Sequence, residues 1–268
     1  MSLSKLKLPH LTSAQFAEIE QRAKKSGIHP DTCPTCGSVA DAWGERENGT
    51  YKLAGDIHKC DCTEQIMLRK HYLLANIPDQ YMRLDWSVDY EGDPAAKDGV
   101  RIYLERWPEF KLYGMGIEFA SEQLGVGKTF AATTIGKELI KRKEDVFFIP
   151  FNQALHAMRY EDRPVLDRMR DTNVLILDEI VPPPNESLQN VMVNHFESIV
   201  RDRTNYNGVT ILTTNLSERD MEAAYPRTYS LLAAKQMRVV LTGADARRGL
   251  IAQRNLDLAM NGERKPIS

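Results

Sequence analysis

GIEFASEQLGVGKT, residues 116–129, is the stretch around which the chain is read. A short apolar run (Ile117, Phe119, Ala120) leads into a turn-rich segment closing on Gly125-Val126-Gly127-Lys128-Thr129, and a helical pattern follows over residues 130–142. That order is strand, loop, helix. A loop that wraps main-chain N–H groups around phosphate oxygens needs glycine where a Cβ would clash, and the positive end of the following helix favours the anion. Lys128 is then placed to reach the β- and γ-phosphates and the Thr129 hydroxyl to ligate Mg2+, with Gly125, Val126, Gly127 and Phe130 completing the cofactor-binding loop. The phosphate-loop pattern asks for glycine where Glu122 stands. An acidic side chain there repels a triphosphate unless it points away.

After the loop, strands and helices alternate. A helix over 128–142 carries Phe130, Ile135, Leu139 and Ile140 and ends in Lys141-Arg142-Lys143, cations at the negative end of its dipole. A strand at 146–149 and a helix near 152–160 follow. The apolar run Val174–Leu177 closes on Asp178-Glu179, the pattern of a buried parallel strand that delivers carboxylates to its C-terminal edge. Pro182 to Pro184 break the chain before a helix at 187–201, and the strand Gly208–Thr213 ends in Thr214-Asn215. Such alternation predicts an α/β fold with a parallel sheet flanked by helices. Phosphoryl transfer to water needs charge neutralisation, a metal and an oriented nucleophile. Asp178 suits the metal, Glu179 the general base, and Asn215 the positioning of water or the sensing of the γ-phosphate.

All four cysteines lie upstream of this domain. Cys33-Pro-Thr-Cys36-Gly37 and, past a polar loop, His58-Lys59-Cys60-Asp61-Cys62 pair soft ligands at the spacing that suits tetrahedral Zn2+, with His58 a candidate to replace one cysteine. A short helix over 11–26, with Thr12 and Gln15 as a capping box, Phe16, Ile19 and Ala23 on one face and Gly27 as its stop, precedes them. A helix over 63–76 follows, with Ile66, Met67, Leu73 and Leu74 on its main apolar face and Leu68 and Tyr72 starting a second edge. These readings divide the chain into a zinc-binding module at 1–76, an irregular linker at 77–100, with a helix near 96–107 leading out of it, and a nucleotide-binding domain at 101–268.

The GVGKT loop, the LILDEI and TILTTNLS strands and Gly243-Ala-Asp245-Ala-Arg247, with the cysteine module and the Ile77-Pro78 junction, resemble bacterial and phage replicative-helicase loaders of the DnaC/DnaI type. These are AAA+ P-loop ATPases, with IstB-like transposition helpers as relatives. The resemblance covers about residues 30–250. It implies a slow, partner- or DNA-coupled ATPase whose front module binds a hexameric replicative DNA helicase, while the ATPase domain self-associates and touches single-stranded DNA during DNA replication. Arg247 matches the second sensor. Leu231 stands where the family has the arginine that completes a neighbour's site. Arg227, one turn earlier, is the candidate substitute, and Arg203 matches another arginine that faces the partner subunit.

Lys plus Arg (35) nearly balances Asp plus Glu (37), so any DNA contact must come from a local patch. Arg168, Arg170, Lys141, Arg142 and Lys143 lack interleaved aromatics and read as a solvated face. No apolar run is long enough for a bilayer and the N-terminus carries no signal pattern, so a cytoplasmic protein is expected. Two other functions stay open. One is a transposition helper, against which the cysteine module argues; the other is a nucleotide-gated adaptor without useful hydrolysis, prompted by Glu122 and Leu231.

Overall fold

Five runs rich in β-branched and aromatic residues pair into one parallel sheet, and the loop at 121–127 opens at its C-terminal edge. The computed structural model describes residues 8–26, 29–37, 43–45, 51–53, 62–184, 189–243, 245 and 267–268. Its elements are α1 (Ser13–Ser26), β1 (Trp43–Glu45), β2 (Tyr51–Leu53), α2 (Cys62–Leu74), α3 (Asp79–Met82), α4 (Trp86–Asp89), α5 (Pro94–Glu105) and α6 (Trp107–Tyr113). They continue as β3 (Gly116–Ala120), α7 (Lys128–Lys141), β4 (Val146–Pro150), α8 (Phe151–Arg159), α9 (Arg163–Asp171) and β5 (Val174–Ile180). The last are α10 (Gln189–Asn205), β6 (Val209–Thr214), α11 (Glu218–Ala224), α12 (Pro226–Ala233) and β7 (Gln236–Val240).

The sheet order is β4-β5-β6-β3-β7, with every pairing parallel. Side chains alternate across each strand, and the two faces feed two cores. Val174 and Ile176 point to the face covered by α5 and α7; Leu175 and Leu177 point to the face covered by α8 to α12. This confirms the expected α/β architecture. Strand β6 lies between the loop strand β3 and the carboxylate strand β5, an arrangement that strand periodicity alone does not specify.

The stretch 77–100 is not irregular. It folds into α3, α4 and the start of α5, and Ile77, Met82, Tyr90, Ala96 and Val100 are buried in the core that also holds α7. Few residues in it repeat at a helical period because two of its helices are single turns; the period needs about three turns to show. Asp85 and Asp93 start α4 and α5, their side chains accepting from Ser87 and Ala95 N–H.

At the front, the capping box holds: Thr12 N–H donates to Gln15 Oε1 at 2.8 Å and Gln15 N–H to Thr12 Oγ1 at 3.3 Å. Ile19 and Ala23 are buried, while Phe16 is half-exposed beneath the Lys70 ammonium. In α2 the deeper edge is Leu68 and Tyr72, not Met67 and Leu73, because the Leu68 and Tyr72 side chains lie within the core that also holds α7. Main-chain contact extends further: Phe148 N–H donates to Ala75 O at 2.8 Å and Asn76 Nδ2 to Phe148 O at 2.9 Å, so the turn that follows α2 covers the edge strand β4.

Candidate nucleotide site and cysteine cluster

Lys128 opens α7 and is 7% exposed. Its ammonium donates back to Ser121 O at 3.2 Å and Gln123 O at 2.9 Å, which ties both ends of the loop together and leaves a ring of main chain at the helix N-terminus. Gly127 has φ +93° and a Cβ there would come within 2.5 Å of the Tyr90 ring. Gly125 has φ +78° and a Cβ would come within 1.9 Å of Asp245 Oδ1. Both positions therefore require glycine. Val126 is buried and its carbonyl accepts from Tyr90 OH at 3.3 Å. Glu122 is exposed at the loop entry, which removes it from the buried side of the cradle.

Phe130 departs from the expectation that it contacts a cofactor. Its ring is buried, edge-on to Trp86 and Tyr90, and supports the loop from beneath. Sequence reading missed Tyr90 and Asp93. Asp93 accepts from Thr242 N–H at 2.6 Å, and although burial works against its charge, the N–H groups of Thr242, Ala95 and Gly243 hold its carboxyl below the usual range. That bond fastens the segment after β7 beside the loop.

Asp178 is 7% exposed, which raises its pKa, while hydrogen bonds from Thr213 and Thr129 and the Lys128 charge act against the rise. Thr213 OH donates to it at 2.7 Å. Glu179 is exposed in a left-handed conformation, φ +58°. Asn215, at the end of β6, carries a buried Oδ1 without a hydrogen-bond partner. Because β6 sits between β5 and β3, these C-terminal ends bring Lys128 and Thr129, Asp178 and Glu179, and Asn215 to one edge of the sheet. A cationic loop, a buried carboxylate, an exposed carboxylate and an unsatisfied amide together suit a phosphate ester, a hard cation and a water.

The arginines separate. Arg203 does not face outward: it lies inside α10, 2% exposed, and donates to Thr210 Oγ1 and to the carbonyls of Met169, Arg170, Thr172, Asn173 and Val209. Those groups sit at the N-terminal ends of β5 and β6, the opposite edge from Lys128, so the guanidinium is engaged within its own chain rather than presented on the surface. Burial lowers its pKa to about 10, and the guanidinium remains charged at neutral pH. Arg227 is open, its side chain 82% exposed and its guanidinium 3.8 Å from Glu197. Leu231 packs against the second core. Arg247 lies outside the described residues. Arg168 pairs with Asp145, Arg170 with Asp167 and Asp202, and Lys141 with Glu138, so these three cations are partly buried and engaged within the chain.

In the front module the sulfurs of Cys33, Cys36 and Cys62 lie within 4.8 Å of one another, with Cys36 and Cys62 3.4 Å apart. Four thiolates at about 2.3 Å from one Zn2+ stand roughly 3.8 Å apart, so the cluster fits a metal. Gly37, at φ +77°, returns its N–H to Cys33 O at 3.0 Å and makes the turn that aims the first two sulfurs at one point. Cys60 and His58 lie outside the described residues.

A parallel sheet with a strand inserted between the phosphate-loop strand and the carboxylate strand, flanked by helices on both faces, is the AAA+ P-loop fold. The solved structure of DnaI matches with a TM-score of 0.54 and 18% identity, over 62% of this chain and 95% of that one. The DnaC helicase loader matches at 0.51 and 19%, over 62% of this chain and all (100%) of that one. AMPPCP-bound DnaA from Aquifex aeolicus matches at 0.51 and 19%, over 68% of this chain and 56% of that one. At these identities the likeness is one of fold, and it supports the resemblance to DnaC/DnaI-type proteins drawn from the motifs. No family model matches the chain, and no curated protein matches it by sequence. No helix among the described residues is long and apolar enough to cross a membrane.

Proposed function

We propose that this protein is an ATP-hydrolysing loader that binds a hexameric replicative DNA helicase and helps to place it on single-stranded DNA. The observation that carries the reading is the convergence of Lys128, Thr129, Asp178, Glu179 and Asn215 on one sheet edge, in a fold shared with DnaI and the DnaC helicase loader. Lys128 and the loop N–H groups hold the β- and γ-phosphates. Mg2+, when bound through Thr129 and Asp178, neutralises phosphate charge. Glu179 takes a proton from the attacking water, whose oxygen bonds to the γ-phosphorus as the bond to the β,γ-bridging oxygen breaks, giving ADP and phosphate. Asn215 Oδ1 accepts the water's other proton and fixes its line of approach.

In this reading the protein self-associates on the helicase and Arg227, whose exposure supports the role, reaches a neighbouring subunit's γ-phosphate. The cysteine cluster holds one structural Zn2+ and shapes residues 1–76 as the helicase-binding part. Mixing the full chain with candidate hexameric helicases and sizing the complex tests the reading, together with strand binding followed by fluorescence anisotropy with and without ATP. A stable complex and ATP-dependent strand binding are expected. Binding of a transposase with no helicase complex would replace the loader by the transposition helper; nucleotide binding without turnover would leave the adaptor.

A further inference from the structure

No motif singles out Thr213, yet its hydroxyl touches the carboxylate of Asp178 and the main chain of Glu179. The register of β5 and β6 runs from Val174–Val209 to Leu177–Leu212 and resumes at Ile180–Thr214. Three steps along β5 answer two along β6, so Asp178 and Glu179 together oppose Thr213 alone. A bulge of this kind leaves main-chain groups without their ladder partners, and buried ones must be satisfied elsewhere. Thr213 supplies the missing partner with its side chain. It is 0% exposed, its hydroxyl accepts from Glu179 N–H at 2.8 Å, and the same hydroxyl donates to Asp178 Oδ1 at 2.7 Å. One oxygen thus holds the left-handed backbone of Glu179 and the carboxylate of Asp178 at once.

We propose that Thr213 is the positioning residue of this site, its single hydroxyl setting Asp178 for the cation and Glu179 for the water. The inference deepens the ATPase reading and rests on it. The hydroxyl's one proton and one of its lone pairs are committed: the donated proton lowers the cost of a buried charge on Asp178, and the lone pair stabilises a main-chain conformation that a non-glycine residue otherwise avoids. Valine has the same shape and neither function. Next in sequence, Thr214 donates to Ile180 O at 3.0 Å and so pins the strand beyond the bulge without touching either carboxylate.

The test compares wild type, Thr213→Val and Thr213→Ser as full chains, measuring ATP turnover over a Mg2+ series and a pH series, and affinity for a fluorescent ATP analogue without Mg2+. Thr213→Val is expected to lose about 10- to 100-fold in kcat, as other residues that orient metal ligands do. It should also need several-fold more Mg2+, shift the acid limb of its pH profile upward, and keep metal-free nucleotide affinity. Thr213→Ser should restore kcat to within about 3-fold of wild type, on the same scale. If the valine protein does not fold, Thr213→Ala carries the same expectations. Wild-type kcat and Mg2+ requirement in the hydroxyl-free variant would overturn the proposal alone. Absence of both turnover and Mg2+-dependent nucleotide binding in wild type would overturn the ATPase reading and this proposal with it.

Discussion

Gln65 and Ile267, 202 positions apart, exchange two hydrogen bonds: Ile267 N–H donates to Gln65 Oε1 at 2.7 Å and Gln65 Nε2 to Ile267 O at 3.0 Å. Gln65 lies three residues past Cys62 on α2. Tyr72, about two turns along the same face of the helix, donates to Ser268 O at 2.7 Å, and Lys137 of α7 donates to Ser268 Oγ at 2.8 Å. The helix that carries a metal-site cysteine is therefore tied to the helix that begins at the phosphate loop.

This tie shapes what metal loss does. Purified without chelator, the protein is expected to hold about one Zn2+ per chain, read by elemental analysis, with less than half of that in Cys36→Ser. Because thiolate–zinc binding free energy is folding free energy for a small module, hydrogen exchange over residues 29–37 should rise after chelation. Exchange over α2 should change far less, since Leu68 and Tyr72 stay in the larger core. Equal loss of protection in both would contradict the role given to Gln65 and Tyr72.

Lys128→Ala should weaken nucleotide binding by about 10-fold or more, since it removes a buried cation from the phosphate cradle and the bonds that close the loop. Glu179→Gln should keep affinity and lose turnover by about 100-fold or more, the scale of a general base. Titration with a fluorescent ATP analogue and a phosphate-release assay separate the two. Unchanged affinity in Lys128→Ala would refute the nucleotide site.

Arg203→Met should cost about 3 kcal/mol or more in a urea melt, because it strands several buried carbonyls that the guanidinium now satisfies. Arg227→Ala should stay within about 0.5 kcal/mol of wild type in the same melt. On the helicase, however, only Arg227→Ala should lower turnover per folded molecule. The opposite pattern would restore Arg203 as the subunit-bridging arginine.

Lys137 is 3% exposed and burial lowers its pKa from 10.5 to about 7. Its ammonium donates to Leu84 O at 2.6 Å as well as to Ser268, and Lys141, Glu138, Asp85 and Asp89 are the charges that act on it. The unfolded chain then binds more protons than the folded one between these two values. Stability should rise as pH increases from about 7 to 10.5, and Lys137→Met should flatten that part of the profile. Urea midpoints across this range decide it, and identical slopes in the two proteins would count against the assignment.

Much of the site was legible from local pattern. The spacing in GVGKT, the carboxylates closing an apolar strand, the Thr12–Gln15 box and the cysteine turn at Gly37 are short-range chemistry, in which residues a few positions apart meet whatever the rest of the chain does. The alternating strands and helices likewise specified a parallel α/β sheet, since runs such as Val174–Leu177 can be satisfied only between two covered faces.

What the tertiary structure alone decided are matters of partnership across the sheet. An arginine at position 203 reads as a surface cation until the ends of α9, β5 and β6 surround it with carbonyls. Thr213 reads as an ordinary strand residue until a bulge in the preceding strand, β5, places Asp178 and Glu179 against its hydroxyl. Segment 77–100 reads as linker because its single-turn helices are stabilised by packing against α7 rather than by their own periodicity. Burial and hydrogen-bond partnership depend on residues 30 to 200 positions away, and no local spacing encodes which of them arrive.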